Sequence, residues 1–250
     1  MREFLYSRNA VFEALRAQRR RVFRLLVAEG VHERGRLLDL LRLAVQRGIE
    51  VQRLPRSRLD GIHEHHQGVV AEVEPYPYVT LADILEHARR AGEPPFILLL
   101  DALHDPQNFG TLLRTAEAVG VHGVVIPLAR TVTVTPAVVN VSSGASEHLL
   151  IAQANLAQTL ESLREAEVWV VGLDPRGVPL DESHRHFLRG ALGVVIGSEG
   201  SGLRELTRRK CDVLLTLPMR GRVESLNAAV AGSVALYLAY LARMTQFHTE

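Results

Sequence analysis

Three stretches of the chain combine polar side chains with glycine in patterns able to hold a ligand and act on it. The first runs from Leu100 to Gly110: an apolar run breaks into Asp101, His104, Asp105, Pro106, Gln107 and Asn108, and Arg114 follows six residues past Asn108. Asn offers a donor and an acceptor, and Arg a planar fork suited to carboxylate or phosphate. The second is Gly197-Ser198-Glu199-Gly200-Ser201-Gly202, directly after the apolar run Val194–Ile196. Glycines at that point let backbone N–H groups come close to a ligand. The third is Leu217–Gly232. There Leu217-Pro218-Met219 closes an apolar run, Arg220, Gly221 and Arg222 make a polar turn, and Ser225-Leu226-Asn227 opens a small-residue helix reaching about Ala242. Ser225 and Asn227 at a helix N-terminus suit a phosphate or another polar ligand, while Ser225 serves equally well as a plain N-cap.

The same residues exclude familiar nucleotide sites. Gly197, Gly200 and Gly202 are spaced G-x-x-G-x-G, not as the dinucleotide fingerprint, and Glu199 would stand where a pyrophosphate belongs. No G-x-x-x-x-G-K-[ST] occurs, so the second stretch fits a ligand without phosphate there. His63, His65 and His66 sit close together, but with no cysteine near and no zinc-site spacing they read as a solvated turn, and no metal is expected. Cys211, between Lys210 and Asp212, has no base nearby and reads as a half-buried structural residue.

For the three stretches to act together, a scaffold must bring them to one edge. From Phe96 onward short apolar runs alternate with helical patterns. Strands are expected at Phe96–Leu100, Gly123–Ile126, Glu167–Gly172, Gly193–Ile196 and Asp212–Leu217. Helices are expected at Phe109–Val119, Asn155–Ala166, Leu203–Arg209 and from about Ser225. Continuous apolar strands without alternation indicate a parallel sheet covered on both faces, with a ligand at its C-terminal edge. Before this lies a smaller α/β pattern: helix 9–17, capped by Ser7 or Asn9, strand Val22–Ala28, helix Glu33–Arg47, and strands Ile49–Leu54 and Val69–Val73. Pro75-Tyr76-Pro77-Tyr78 is stiff, extended chain. It divides a domain of residues 1–75 from a linker and Thr80-capped helix (76–95) and a second domain (96–250).

Composition agrees with this division. The 250 residues are 47% hydrophobic and 23% charged, enough apolar content for a real core. The net charge of +1 is unevenly spread: residues 1–75 hold 14 Arg against 10 acidic residues, +4, and the remainder holds 15 basic against 18 acidic, −3. The first domain is therefore the expected nucleic-acid face. The N-terminus lacks an apolar signal core, no apolar run is long enough for a membrane span, and the single cysteine fits a reducing compartment. A cytoplasmic protein with no membrane partner is expected.

Taken in order, N-x-G-x-x-x-R (Asn108 to Arg114), I-G-S-E-G-x-G (Ile196 to Gly202) and L-P-M-x-G-x-V-x-S-L-N (Leu217 to Asn227) resemble the three signature motifs of the SpoU (TrmH) family of RNA ribose 2′-O-methyltransferases, in the SPOUT class. Ser142-Ser143-Gly144-Ala145 is similar to the family's S-x-G-A stretch between the first two motifs. Tyr6–Val11 and His66–Ala71 are similar to the ribosomal-protein-like RNA-binding domain fused to many members. The resemblance implies an α/β fold with a parallel sheet, a C-terminal deep trefoil knot and S-adenosylmethionine as cofactor. It further implies cofactor contacts at Gly197, Gly202, Leu217, Met219 and Leu226, and catalytic roles for Arg114, Asn108, Glu199, Ser225 and Asn227. The partners it implies are a homodimer mate and RNA. The fused domain points to a guanosine ribose in 23S ribosomal RNA, with tRNA and a non-catalytic RNA-binding role as alternatives. Guanidinium holds its proton too firmly for a literal base. Arg114 is then either perturbed by cofactor and phosphate, or stabilises the developing oxyanion while a phosphate or water takes the proton. Glu224 would set an acidic group near RNA phosphate.

Overall fold

The computed structural model describes residues 2–223 and 225–244, so Glu224 lies outside the described residues. The chain divides into two compact units, Met1–Pro77 with Val134–His148, and Tyr78–Thr133 with Leu149–Glu250.

The first unit is built on a sheet of order β1-β4-β2-β3, formed by β1 (Glu3–Tyr6), β2 (Val22–Ala28), β3 (Glu50–Leu54) and β4 (Val69–Val73). β4 runs antiparallel to both β1 and β2, and β2 runs parallel to β3. Helix α1 (Arg8–Ala17) buries Ala10, Val11, Ala14 and Leu15, and α2 (Arg36–Gln46) buries Leu37, Leu40, Leu41 and Ala44. The α2 set follows the i, i+3, i+4, i+7 spacing and the α1 set i, i+1, i+4, i+5, each one helical face. Ser7 holds the N-cap position of α1 without a side-chain bond. A short helix, α3 (Arg56–Asp60), completes the chain's first pass.

Val134–His148 joins this first unit, although the sequence reading placed it in the second domain. It forms α6 (Pro136–Val141) and a 3-10 turn at Ala145–Glu147. Arg20 and Glu147 explain the attachment. Arg20 Nε donates to Glu147 Oε2 at 2.8 Å, and its Nη1 donates to Glu3 Oε2 and the Glu74 carbonyl, each at 3.1 Å. Both side chains of the Arg20–Glu147 pair are only 1% exposed. Burial by itself would release a proton from Arg20, but the Glu147 and Glu3 carboxylates more than offset this and raise its pKa.

The second unit carries an all-parallel sheet of order β10-β8-β9-β5-β6-β7. Its strands are β5 (Phe96–Asp101), β6 (Gly123–Pro127), β7 (Ile151–Ala154), β8 (Trp169–Pro179), β9 (Leu192–Gly197) and β10 (Val213–Thr216). β5, β6 and β9 are buried along their whole length, as expected of strands covered on both faces. One core gathers Ile97, Leu99, Val125, Val170 and Val195 with Ile84 of α4 (Leu81–Ala91) and Leu156, Leu160 and Leu163 of α7 (Leu156–Glu165). Thr80 starts α4 through a reciprocal capping box with Asp83. Asp105 caps α5 (Pro106–Ala118), and Pro106 at the first helical position adds preset φ. Among the described residues no helix is long and apolar enough to cross a membrane.

Helix α9 (Ala228–Met244) turns its small residues inward. Ala229, Gly232, Ala235 and Ala239 are buried, and a Cβ on Gly232 would lie 2.6 Å from Leu112 Cδ2. Gly232 is therefore needed for α9 to lie close on α5 and β9. The helix begins at Ala228, not near Ser225 as the sequence suggested. The cause is Asn227, whose Oδ1 accepts from the N–H groups of Ala229 at 2.9 Å and Val230 at 3.2 Å and so takes the capping role. The strand expected at Glu167–Gly172 also differs, since β8 continues to Pro179. Leu214 pairs with Gly172 but Leu215 pairs with Val178, so residues 173–177 swing out of the ladder between them.

Candidate active site and cofactor cavity

A cavity of about 220 Å³ opens at the C-terminal ends of β9 and β10, beside the middle of β8. Two loops and the β8 excursion form it. Its walls include Leu173, Asp174 and Pro175 from the excursion, Gly197–Gly200 and Gly202 after β9, and Leu217, Met219, Ser225 and Leu226 between β10 and α9. Gly197, Gly202, Leu217, Met219 and Leu226, picked from sequence as cofactor contacts, thus share one cavity. The glycines are required by the close turn that forms the wall. Ser198 and Gly202 exchange backbone hydrogen bonds at 3.1 and 3.0 Å, and a Cβ on Gly197 would lie 2.2 Å from the Gly202 carbonyl carbon. Gly200 and Gly202 take φ of 85° and 65°, which side chains other than Gly resist.

The polar side chains meet in a directed chain. Asn227 uses its oxygen to cap α9, so its Nδ2 is left to donate, and it does so to Asn108 Oδ1 at 3.0 Å. Asn108 then presents its own Nδ2 to the Glu199 carboxylate, to which it donates a short hydrogen bond. The orientation of both amides follows from the two ends, backbone donors at one and a carboxylate acceptor at the other. Asn108 stands in the first turn of α5, not in the loop the sequence suggested, Glu199 in the turn after β9 and Asn227 at the cap of α9, and they are brought together only here. Ser225 lines the cavity and is exposed, and Arg114 is exposed further along α5, outside the cavity lining. At the end of β5 the fully buried Asp101 accepts from Arg204 N at 2.8 Å and Arg204 Nε at 2.5 Å, tying the first loop to the second.

Asp174 is the charged residue of the cavity that sequence reading missed. It is 4% exposed. Burial pushes its carboxyl up, but hydrogen bonds from Arg176 and Arg208 outweigh burial and hold it at about 2. Arg208 of α8 (Glu205–Lys210) donates to Asp174 Oδ2 at 2.8 Å and to the Leu203 carbonyl at 2.9 Å, so one guanidinium ties the β8 excursion to the residue next to Gly202. A signal was present in Leu173-Asp174-Pro175-Arg176-Gly177, a turn-forming run directly after an apolar strand. Cys211 is half-buried and donates to the Thr207 carbonyl; burial first, then the Asp212 charge, pushes its thiol up to about 12, so it is no nucleophile at neutral pH. Among the described residues no three His, Cys, Asp or Glu stand together as metal ligands.

The lining sets carboxylates beside apolar walls. Its charged residues are Asp174 and Glu199, both acidic, with Leu173, Ile196, Leu215, Leu217 and Leu226 as apolar walls. A profile of the SpoU rRNA methylase family matches residues 95–237, and one for RNA 2′-O ribose methyltransferase substrate binding matches residues 4–79. The chain belongs to the SpoU family. As a member it is an RNA ribose 2′-O-methyltransferase that uses S-adenosylmethionine. The chain is 43% identical over 244 residues to a putative TrmH family tRNA/rRNA methyltransferase of Bacillus subtilis, covering 96% of each. It is 41% identical over 249 residues to the 23S rRNA (guanosine-2′-O-)-methyltransferase RlmB of Pseudomonas putida, covering 98% of each. The SpoU methyltransferase AviRb of Streptomyces viridochromogenes, solved with its cofactor AdoMet, superposes with a TM-score of 0.79 at 25% identity, over 98% of this chain and 91% of that one. Gly197, Gly202, Leu217, Met219 and Leu226 of this SpoU methyltransferase all line the one cavity, beside the carboxylates of Asp174 and Glu199.

Proposed function

We propose that this SpoU methyltransferase modifies the ribose 2′-hydroxyl of a guanosine in 23S ribosomal RNA. The observation that carries the reading is the Asn227–Asn108–Glu199 chain at the cofactor cavity. It joins polar groups from the first turn of α5, the turn after β9 and the cap of α9. The substrate assignment is supported by the near full-length match to RlmB and by the fused substrate-binding domain. S-adenosylmethionine, when bound, supplies the methyl group. Asn108 and Glu199 orient the ribose and Arg114. Arg114 stabilises charge growing on the 2′-oxygen, and a phosphate or water takes the proton, because a guanidinium cannot accept one. Asn227 spends one amide N–H on Asn108; its second, with the Ser225 hydroxyl, meets RNA phosphate.

The working unit is a homodimer built on α9. Its outward face carries Val230, Val234, Tyr237, Leu241 and Met244, each at least 39% exposed, at the spacing of a helix-packing stripe. A trefoil knot in the C-terminal half and a cytoplasmic location belong to the same reading. A tRNA substrate is the rival, supported by the tRNA/rRNA designation of the Bacillus subtilis relative. Tritiated methyl transfer to unmodified 23S rRNA and to tRNA, followed by mapping of the methylated nucleotide, separates them. Label on tRNA alone would overturn the ribosomal assignment.

A further inference from the structure

The histidine cluster that matches no metal pattern has another use. His66 is fully buried and fixes its turn: its Nδ1 accepts from Gly68 N at 2.8 Å and its Nε2 meets Asp60 Oδ1 at 2.9 Å. His63 lies flat on Tyr6, with ring centroids 3.6 Å apart and planes 9° apart. His65 tilts against His63 at 5.5 Å and 55°, and its N–H donates to His63 Nδ1 at 3.1 Å. Tyr6 is 6% exposed and the His65 side chain 71% exposed. The three rings therefore form a stair that starts in the core and ends in solvent.

The neighbouring loops are held in an unfavourable conformation. Arg8 N donates to Gln67 Oε1 at 3.1 Å and Arg8 Nε to the Gln67 carbonyl at 3.0 Å. Ser7 and Gln67 sit at φ of 76° and 54°, left-handed values that side chains other than Gly rarely adopt. Gly68 follows at φ 88°, where a Cβ would lie 2.8 Å from Val31 Cγ2. Strain of this kind persists where surrounding structure imposes it, and it gathers at ligand-binding loops. A merely solvated turn needs neither the ring stack nor two left-handed side chains.

The structure assigns this corner of the first unit as an RNA grip in which a nucleobase splayed from an RNA loop stacks on His65 and His63 while Arg8 and Asn9 meet its sugar-phosphate. Sequence-specific RNA recognition targets unstacked bases, which settle on His, Tyr or Arg planes. Here the platform is anchored beforehand by Tyr6, and residues 1–75 carry the basic excess (+4, from 14 Arg and 10 acidic residues) that draws a phosphate backbone. The assignment rests on the reading of the chain as an RNA-modifying enzyme, so RNA binding and methyl transfer are measured separately.

Full-length protein is titrated with unmodified 23S rRNA by filter binding, alongside His65→Ala, His65→Phe and Arg8→Ala, with methyl transfer assayed in parallel. His65→Ala is expected to raise both the RNA Kd and the RNA KM roughly ten-fold, with kcat and S-adenosylmethionine affinity within about two-fold, and His65→Phe to restore them, because stacking tolerates any flat ring. His65 is exposed, so thermal melting should be unchanged. A His65→Ala protein with wild-type RNA affinity overturns the grip, whatever its methyl transfer. RNA binding that depends on His65 in a protein with no methyl transfer supports the grip and overturns only the catalytic reading.

Discussion

At the scale of single residues, the site depends on groups whose protonation or orientation is set by neighbours. Arg114→Ala should abolish methyl transfer while S-adenosylmethionine affinity stays near wild type, since Arg114 lies outside the cavity lining. Calorimetric titration with the cofactor beside a tritium assay tests both halves, and full activity would remove Arg114 from the mechanism. Asp174 gives a pH signature. Its folded carboxyl sits at about 2 against an ordinary 3.8. A depressed folded pKa stabilises above the ordinary value and is lost as pH falls from about 4 toward 2, a contribution of no more than about 2 kcal/mol. Urea midpoints across that window should fall more steeply for the wild type than for Asp174→Asn. The variant should also bind S-adenosylmethionine more weakly, because the Arg208 tie between the β8 excursion and Leu203 loses its charged partner. Equal slopes would show that Asp174 is not held ionised by its two arginines.

At the scale of elements, α9 divides into an inward face of small residues and an outward face of larger ones. Ala229, Gly232, Ala235 and Ala239 let it lie close on α5 and β9, while Val230, Val234, Tyr237, Leu241 and Met244 face out. An apolar helix of this kind reads in sequence as plain core. Only the inward register of the small residues leaves the larger ones at least 39% exposed. Replacing Tyr237 and Leu241 by Glu should convert a dimer to monomer in sedimentation velocity, with melting of the monomer little changed. A wild-type monomer at micromolar concentration would count against the α9 interface. The β8 excursion is a further element-scale feature. The sequence run Glu167–Gly172 ends as a strand should, and nothing in its periodicity shows that pairing resumes at Val178.

At the scale of the whole molecule, Val134–His148 changes what a truncation would do. The segment belongs to the first unit through the buried Arg20–Glu147 pair. Removing Glu147 leaves the buried Arg20 with Glu3 as its remaining carboxylate, so Glu147→Ala should cost about 3 kcal/mol, the lower end for a broken buried pair, in chemical denaturation. Deletion of residues 1–75 should weaken rRNA methylation strongly. It should also leave Val138, Val139 and Ala145, buried in the intact unit, exposed, so aggregation is expected unless they are made polar. Light scattering of the truncated protein before and after such substitutions checks this, and a well-behaved unmodified truncation would contradict it.

Much of the site was legible in the residues alone. Apolar runs placed β5, β9 and β10, glycines marked the tight turn after β9, and Asn108, Glu199, Ser225 and Asn227 were singled out as polar groups at element ends. Those features depend on local sterics and spacing, which a linear sequence carries. The amide orientations of Asn108 and Asn227 could not be read this way, because each is set by a partner about a hundred residues distant, 91 for Asn108 to Glu199 and 119 for Asn227 to Asn108. The same holds for the Asp174–Arg208 clamp, the attachment of Val134–His148 through Arg20, and the stacking that turns an apparently solvated histidine turn into a ring stair. Local rules determined which residues could act. Long-range packing decided which of them meet, because hydrogen-bond partners and buried charges are fixed only when the chain closes on itself.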